Sequence, residues 1–184
     1  MTSYCDAARG DPLHGPYHDR EHGFPARDER VLFERLIMEI SQAGLSWGIV
    51  LRKRESLRAA YAGYEVDAVA AFGEAERARL LADPGVIRNR RKIDAAIANA
   101  QTVQALRASH GGFATWLDAH HPRRRDAWVT LMRRTFRHVG GEITNEFLMS
   151  LGYLPGAHAD DCPVGSAVLQ CDPPWRQVGR KFYD

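Results

Sequence analysis

The stretch RRDAWVTLMRRTFRHVGGEITNEFLMSLG, residues 124–152, indicates two helices joined by a short connection that contains glycine. Apolar side chains recur at helical spacing on both sides of Val139-Gly140-Gly141, and Gly152 is suited to end the second helix. Backbone N–H groups in such a hairpin can approach an anion closely, and the next helix adds the positive end of its dipole. We therefore predict a helix-hairpin-helix whose Val139, Gly140 and Gly141 contact DNA phosphate. A plain corner between two helices remains the alternative.

Helical patterns continue through most of the remaining chain. Asp28 can cap a helix over 29–43 that ends near Gly44, and Ser46 can begin another helix that extends to about Ala60. Further helical segments are predicted at 66–72, 75–82 and about 87–108. Because strand-like alternation is missing, the predicted fold class is all-α.

One globular unit over 1–184 is expected from the composition. The chain is 45% hydrophobic and 26% charged, which suits a soluble domain with a sizeable core. We place this helical core at 27–152, between glycine- and proline-rich termini at 1–26 and 153–184. Apolar runs are far shorter than the roughly 18 residues of a membrane span, and the polar start does not resemble a signal peptide. We therefore expect a cytoplasmic protein without membrane contact.

Basic residues are concentrated in one part of the chain. Residues 86–138 contain 11 basic and three acidic side chains, a net charge of +8, whereas the rest of the chain carries −6. One interpretation is a positive face that binds a phosphate backbone. The alternative is a set of solvated helix faces whose arginines pair with neighbouring carboxylates.

Pairs of cysteine and histidine lie near both ends of the chain. Cys5 and His18 form one pair, and His158 and Cys162 form the other. Three widely spaced cysteines in a chain without an export signal favour reduced thiols over disulfides. Together the two pairs would complete a tetrahedral zinc site with no open position, so the zinc would be structural and would join the termini. Unrelated residues on separate termini are the alternative.

Three side chains are candidates for a ligand pocket. Glu39 lies at the edge of the apolar stripe of its helix, where an unpaired carboxylate is costly to bury. Such a residue either binds a ligand or is a rim glutamate paired with an arginine. Trp47 and Tyr17 offer aromatic faces, although large aromatic side chains are more often part of a core.

Four stretches carry the most distinctive motifs of the chain. The most specific motifs are YHDREHG at 17–23, QAGLSW at 42–47 followed by VLRKRE at 50–55, and GVIRNRRKI at 85–93; the full stretches are 5–25, 32–47, 85–100 and 136–162. In order and spacing they resemble the 3-methyladenine DNA glycosylase I family over most of the chain. The resemblance implies a helix-hairpin-helix glycosylase fold and one structural zinc ion, Zn²⁺, held by the four residues Cys5, His18, His158 and Cys162.

The resemblance also implies an activity. The protein is expected to flip 3-methyladenine out of alkylated double-stranded DNA and to excise it by hydrolysis, leaving an abasic site and the free base without strand cleavage. Glu39 matches the family's base-recognition glutamate, and Tyr17 and Trp47 match the aromatic residues that surround the base. Gly44 and Leu45 correspond to the turn that enters the duplex gap. A monomer in the cytoplasm of a bacterium, associated with the nucleoid, is expected.

Several positions depart from the family pattern. His14 takes a place where relatives usually have a second tyrosine, and we expect it to contact the base. His22 and Ala7 each replace a tryptophan. In the hairpin, Gly141-Glu142 introduces a carboxylate that would weaken DNA binding if it faced phosphate.

The lysines of the chain give little support to strand-cleaving chemistry. Lys53 and Lys92 lie in arginine-rich helical surroundings and are expected to face solvent or phosphate, and the only other lysine is Lys181. Two other functions remain open. One is a catalytically silent, zinc-stabilised DNA-binding protein with an altered pocket. The other is a helical domain that binds a small purine.

Overall fold

The computed structural model describes residues 3–183, and this part of the chain is helical without any β-strand. The α-helices are α1 Tyr4–Ala8, α2 Gly15–Arg20, α3 Glu29–Gln42, α4 Trp47–Arg52, α5 Arg54–Ala60, α6 Val66–Ala70, α7 Glu74–Ala82, α8 Arg90–His110, α9 Phe113–His120, α10 Arg125–Thr135, α11 Gly141–Ser150, α12 Pro163–Gln170 and α13 Pro174–Val178. Short 3-10 turns occupy Ala62–Tyr64 and Arg180–Phe182. The prediction of an all-α fold is confirmed. Within the described range, no helix is both long and apolar enough to cross a bilayer.

Helix α3 is the centre of the fold. Asp28 caps it as predicted, since the Asp28 carboxylate accepts hydrogen bonds from the backbone N–H groups of Arg30 at 2.9 Å and Val31 at 3.2 Å. Every residue from Leu32 to Ser41 is buried, because α3 packs against α4, α8, α9 and α11. A helix buried on all sides also buries its polar residues, and each of these needs a partner or a function.

The helix predicted from Ser46 to about Ala60 is instead two helices that meet at Lys53. The Lys53 backbone has φ −93° and ψ 1°, which lies outside the helical region and bends the chain. At the bend, the Lys53 ammonium donates to the carbonyl of Pro84, and the Ser56 hydroxyl donates to the carbonyl of Gly85 at 2.8 Å. Lys53 is therefore half-exposed to solvent, as expected, but its ammonium is bound to a carbonyl of the same chain. Its partner is about 30 residues away in the sequence, so local periodicity could not indicate it.

Helices α10 and α11 form the predicted hairpin. The position with left-handed backbone is His138, with φ 58°, rather than either glycine. A Cβ added to Gly140 would meet nothing within 4 Å, so the start of α11 is open to an approaching anion. The buried Asn99 of α8 holds the connection, because its amide donates to the Arg137 carbonyl at 3.1 Å and accepts from the Arg137 N–H at 2.7 Å.

Candidate active site and metal centre

The predicted metal ligands come together although they lie at opposite ends of the chain. The ligand atoms of Cys5, His18, His158 and Cys162 lie within 4.8 Å of one another. Cys162 Sγ lies 3.7 Å from both His18 Nε2 and His158 Nδ1, and Cys5 Sγ lies 3.8 Å from His158 Nδ1. A tetrahedral ion with bonds of about 2.0–2.3 Å separates its ligand atoms by about 3.3–3.8 Å. The cluster can therefore hold a metal ion.

Hydrogen bonds orient both imidazoles of this cluster. His158 Nε2 donates to the carbonyl of His22 at 2.7 Å, which leaves Nδ1 facing the thiols. His18 Nδ1 lies 2.7 Å from a carboxylate oxygen of Asp19, which leaves Nε2 facing Cys162. Such outer contacts are typical of histidines that bind metal.

Three other side chains near the cluster could donate to a metal by their type, but they are not part of it. Asp160 and Asp161 are exposed, and Asp160 accepts a hydrogen bond from Arg180 at 3.0 Å. Cys171 is an exposed free thiol. The carboxylate that contacts a predicted metal ligand is thus that of Asp19, and not that of Asp160 or Asp161.

A cavity of about 290 Å³ lies beside the metal cluster. Its walls come from α1, α2, α3, α4 and α11 and from the segment before His158. The lining residues are Tyr4, Tyr17, His22, Glu39, Gln42, Trp47, Glu146, Met149, Gly156 and Ala157. Ligand pockets of about 300–1,000 Å³ are usual for drug-sized molecules, so this cavity suits one aromatic base rather than a whole nucleotide.

Glu39 is the most deeply buried acid of this cavity. Glu39 is only 4% exposed, and none of the described residues donates a hydrogen bond to its carboxylate. Burial, together with the smaller effect of the negative charge of Glu146, raises the pKa of Glu39 to about 8, although Arg35 opposes both. The alternative for Glu39 is a glutamate paired with arginine. That description fits Glu34 instead, which accepts hydrogen bonds from two arginines at 2.9 and 2.8 Å.

Aromatic rings surround the Glu39 carboxylate. The ring centroids of Tyr17 and Trp47 are 5.0 Å apart with planes inclined by 61°, so the two rings meet edge to face. The guanidinium of Arg35 lies 5.1 Å from the Tyr17 ring. Burial raises the pKa of Tyr17, so its hydroxyl is neutral. His22 adds a third ring at 5.6 Å from Tyr17, and burial lowers the His22 pKa to about 3.

His14 is not brought to the cavity. It precedes the short helix α2, and its Nε2 lies 3.1 Å from the place where a Cβ of Gly48 would be. Its ring contacts the edge of Tyr4, with centroids 5.9 Å apart. His14 therefore packs against the start of α4 and does not line the cavity. His22, also a departure from the family pattern, does line the cavity.

The turn after α3 projects from the surface beside the cavity. Gly44 has φ 78°, which favours glycine, and Leu45 is 38% exposed. Lys92 of α8 holds this turn from inside, because its ammonium donates to the carbonyls of Ser41 at 2.8 Å and Ala43 at 2.6 Å. Lys92 is buried, so the expectation that it faces solvent or phosphate is wrong.

We expect Lys92→Met to destabilise the protein by about 1–3 kcal/mol, because it leaves two carbonyl groups at the end of α3 without a donor. The measurement is thermal unfolding, with Lys181→Met, a substitution at an exposed lysine, as the matched control. We expect the control to change stability by less than about 0.5 kcal/mol. Equal melting temperatures for the two variants would show that the Lys92 contacts contribute nothing.

The basic segment contains both paired and free arginines. Arg90 pairs with Glu74, and Arg107 pairs with Glu29 and Asp67. Six exposed arginines make no ion pair within the described range, namely Arg88, Arg91, Arg124, Arg133, Arg134 and Arg137. Arg133 and Arg137 border a shallow depression with Val139 and Gly140 of the hairpin. Pairing with carboxylates therefore accounts for a part of the segment, and a phosphate-binding face stays a prediction for the unpaired arginines.

Comparison with known proteins identifies the family. The family model for methyladenine glycosylase matches residues 7–128. The chain is 34% identical over 177 residues to DNA-3-methyladenine glycosylase 1 of Escherichia coli (strain K12), an alignment that covers 86% of this chain and 94% of that protein. The chain belongs to the methyladenine glycosylase family. A DNA-3-methyladenine glycosylase of Haemophilus influenzae is 30% identical to this family member over 182 residues, covering 89% of this chain and 98% of the other.

Solved structures place this methyladenine glycosylase in the same fold. A variant of 3-methyladenine DNA glycosylase I in complex with 3-methyladenine matches it with a TM-score of 0.78 at 25% identity, covering 89% of this chain and 97% of the other. The resemblance drawn from the sequence motifs is therefore confirmed.

The cavity of this methyladenine glycosylase includes residues that the motifs did not single out. Gln42 lies within the motif QAGLSW, and Tyr4 directly precedes the predicted metal ligand Cys5. The neighbouring sequence could therefore have indicated both residues. Glu146 and Met149 had none, because they lie on the helix that follows the hairpin and reach the cavity only when α11 packs on α3.

Proposed function

We propose that the protein excises 3-methyladenine from alkylated double-stranded DNA. The single observation that carries the proposal is a base-sized cavity, in a member of the methyladenine glycosylase family, in which a buried and unpartnered carboxylate lies among aromatic rings. A duplex encloses its bases, so the lesion must rotate out of the stack before it can enter this cavity.

The chemistry starts from a good leaving group. Methylation at N3 gives the adenine a positive charge, and Glu39 and the faces of Trp47 and Tyr17 favour such a ring. When the C1′–N9 bond breaks, its electron pair moves to the base and cancels that charge. A water then adds to C1′ and loses a proton to solvent, which leaves an abasic site. None of the lysines Lys53, Lys92 and Lys181 lines the described cavity, so a Schiff base that cleaves the strand is not part of the mechanism.

Two surface features would hold the DNA. Leu45 on the turn after α3 is an apolar wedge that can replace the stacking lost when the lesion leaves the duplex. Gly140 and Gly141 at the start of α11, with Val139 before them, offer backbone N–H groups to a phosphate. The exposed Arg133 and Arg137 border the same surface and add positive charge.

We assign the metal ion as zinc with a structural role. Two thiolates and two imidazoles are donors that zinc prefers, and four protein ligands leave no position for water. A bound ion would cross-link the two terminal segments and would take no part in the reaction. Tyr4 and Ala157 of the cavity wall are next in sequence to Cys5 and His158, so the site also supports the cavity.

An assay of released bases tests the proposed function. Duplex DNA methylated with an alkylating agent is incubated with the protein, and free bases are measured by chromatography. We expect 3-methyladenine to be released far faster than in a buffer control. Release at only the spontaneous rate, together with salt-sensitive DNA binding, would instead support the catalytically silent DNA-binding protein. Gel filtration with light scattering would test the expected monomer.

Glu142 is expected to weaken DNA binding. Its carboxylate accepts a hydrogen bond from Arg125 at 2.8 Å, at the start of the hairpin's second helix, and its side chain is 85% exposed. We expect Glu142→Thr to free Arg125 for phosphate and to raise affinity for duplex DNA about three- to tenfold at low salt, with a steeper salt dependence. Fluorescence anisotropy at several salt concentrations measures both. An unchanged salt slope would place this face away from the DNA.

A further inference from the structure

A second carboxylate faces the base cavity. Glu146 of α11 lines it together with Glu39 of α3, and these two helices pack against each other. Glu146 is half-buried, and its only hydrogen bond in the described structure comes from the Asn145 amide at 3.3 Å. Two acids thus border one space of about 290 Å³.

Neither acid is neutralised by a basic side chain. The nearest guanidinium to Glu39 belongs to Arg35, and it donates to the Glu21 carboxylate at 3.0 Å and to carbonyl groups at 3.3 Å. On the other side, Arg125 lies near Glu146 but donates to Glu142 and Asn145. Other titratable and charged groups face the pair from the elements packed around it. They are Tyr4, Tyr17, His22, Arg35, Arg125 and Glu142.

We propose that Glu146 is a specificity-determining residue which, with Glu39, restricts the cavity to purines that carry a positive charge. This inference rests on the proposed function and adds the charge of the substrate as the selected property. A cationic ring is attracted by both carboxylates in a partly dehydrated space, where charges interact more strongly than in water. A neutral purine of the same shape gains neither attraction and still displaces water from the acids.

The protonation of the pair follows the charge of the base. Burial raises the pKa of both glutamates; the negative charge of Glu146 adds to the rise at Glu39, and that of Glu142 adds to the rise at Glu146. A bound cation favours the ionised form of Glu39, so binding of a cation releases a proton near neutral pH, whereas binding of a neutral purine does not. Once the glycosidic bond breaks, the base is neutral and the attraction ends. The same pair therefore favours product release.

Two purines of equal shape and different charge test this inference. The 3,9-dimethyladeninium cation represents the lesion, and 3,9-dimethyl-3-deazaadenine, in which carbon replaces the charged ring nitrogen, is its neutral counterpart. Titration calorimetry at pH 8 gives the dissociation constant of each. We expect wild-type protein to prefer the cation, and Glu146→Gln to reduce this preference by about tenfold while changing affinity for the neutral purine by less than about threefold.

Glu55→Gln is the matched control, since it removes the same charge from an exposed residue of α5 outside the cavity. We expect it to leave the preference unchanged. Equal preferences in wild type and Glu146→Gln would overturn this inference, as would a wild type that binds neither purine. Base release from methylated DNA is measured in parallel. If wild type releases no base, the proposed function fails whatever the preference; if it releases base and Glu146→Gln keeps the preference, only this inference fails.

Discussion

Glu39→Gln is expected to reduce the release of 3-methyladenine by at least about 100-fold and, at the same time, to raise thermal stability at alkaline pH. Both effects have one cause. The carboxylate is buried without a hydrogen-bond donor, so its ionised form costs the folded state free energy, and we propose that a bound cationic base offsets this cost. Glutamine has nearly the same shape and no charge. The measurements are base release by chromatography and unfolding by calorimetry.

The sign of the stability effect depends on pH. The folded-state pKa of Glu39, about 8, lies above the ordinary value of 4.5. Wild type therefore loses stability as pH rises from 4.5 to 8, because ionisation is easier in the unfolded chain. The variant does not, so its advantage is expected to be small at pH 5 and to reach several kcal/mol, at most about 5 kcal/mol, above pH 8.

Glu34→Gln is the control for this effect. Glu34 lies on the same helix and is equally buried, but it accepts hydrogen bonds from Arg54 and Arg58. Its replacement should destabilise the protein, since it removes the negative charge that two arginines share in a largely buried place. A Glu39→Gln variant that releases base at the wild-type rate would exclude Glu39 from base recognition. A variant less stable than wild type above pH 8 would contradict the unpaired state of the carboxylate.

Loss of the metal centre is expected to have the largest effect on folding. Cys162→Ser removes one of four ligands that join the chain termini, so the melting temperature should fall by about 10 °C or more, and chelation of wild type should have a similar effect. Cys171→Ser, at an exposed thiol, is expected to change it by about 1–2 °C at most. Elemental analysis should give one zinc per chain for wild type and Cys171→Ser. Equal melting temperatures of the two variants would contradict the assignment of the ligands.

The helices and several site residues could be predicted because their signals are local. Asp28 before an apolar stripe indicates the start of α3, and a glutamate at the edge of that stripe indicates a residue with a function. The two cysteine and histidine pairs suggest a metal site by their donor types alone. Their assembly into one cluster needed either the family resemblance or the fold, since the pairs are about 140 residues apart.

Residues whose role depends on distant partners could not be predicted. Lys92 looks like a surface lysine in a basic helix, yet it bonds to carbonyl groups about 50 residues earlier. Glu146 looks like a polar residue beside an apolar stripe, and only the packing of α11 on α3 turns it toward the cavity. Local periodicity carries no information on such contacts. The same limit applies to His14, whose neighbours Tyr4 and Gly48 are distant in the sequence.

Helix α8 holds two separate surface segments, the turn after α3 and the hairpin before α11. Lys92 holds the turn that bears Leu45, and Asn99, seven residues later, holds the backbone of the hairpin at Arg137. Seven residues are two helical turns, so both anchors lie on the same side of the rod and about 10 Å apart along its axis. One extra residue between them would swing one anchor by about 100° around the axis. The length of this segment thus sets the distance between the Leu45 turn and the hairpin, the two surfaces that we propose contact DNA.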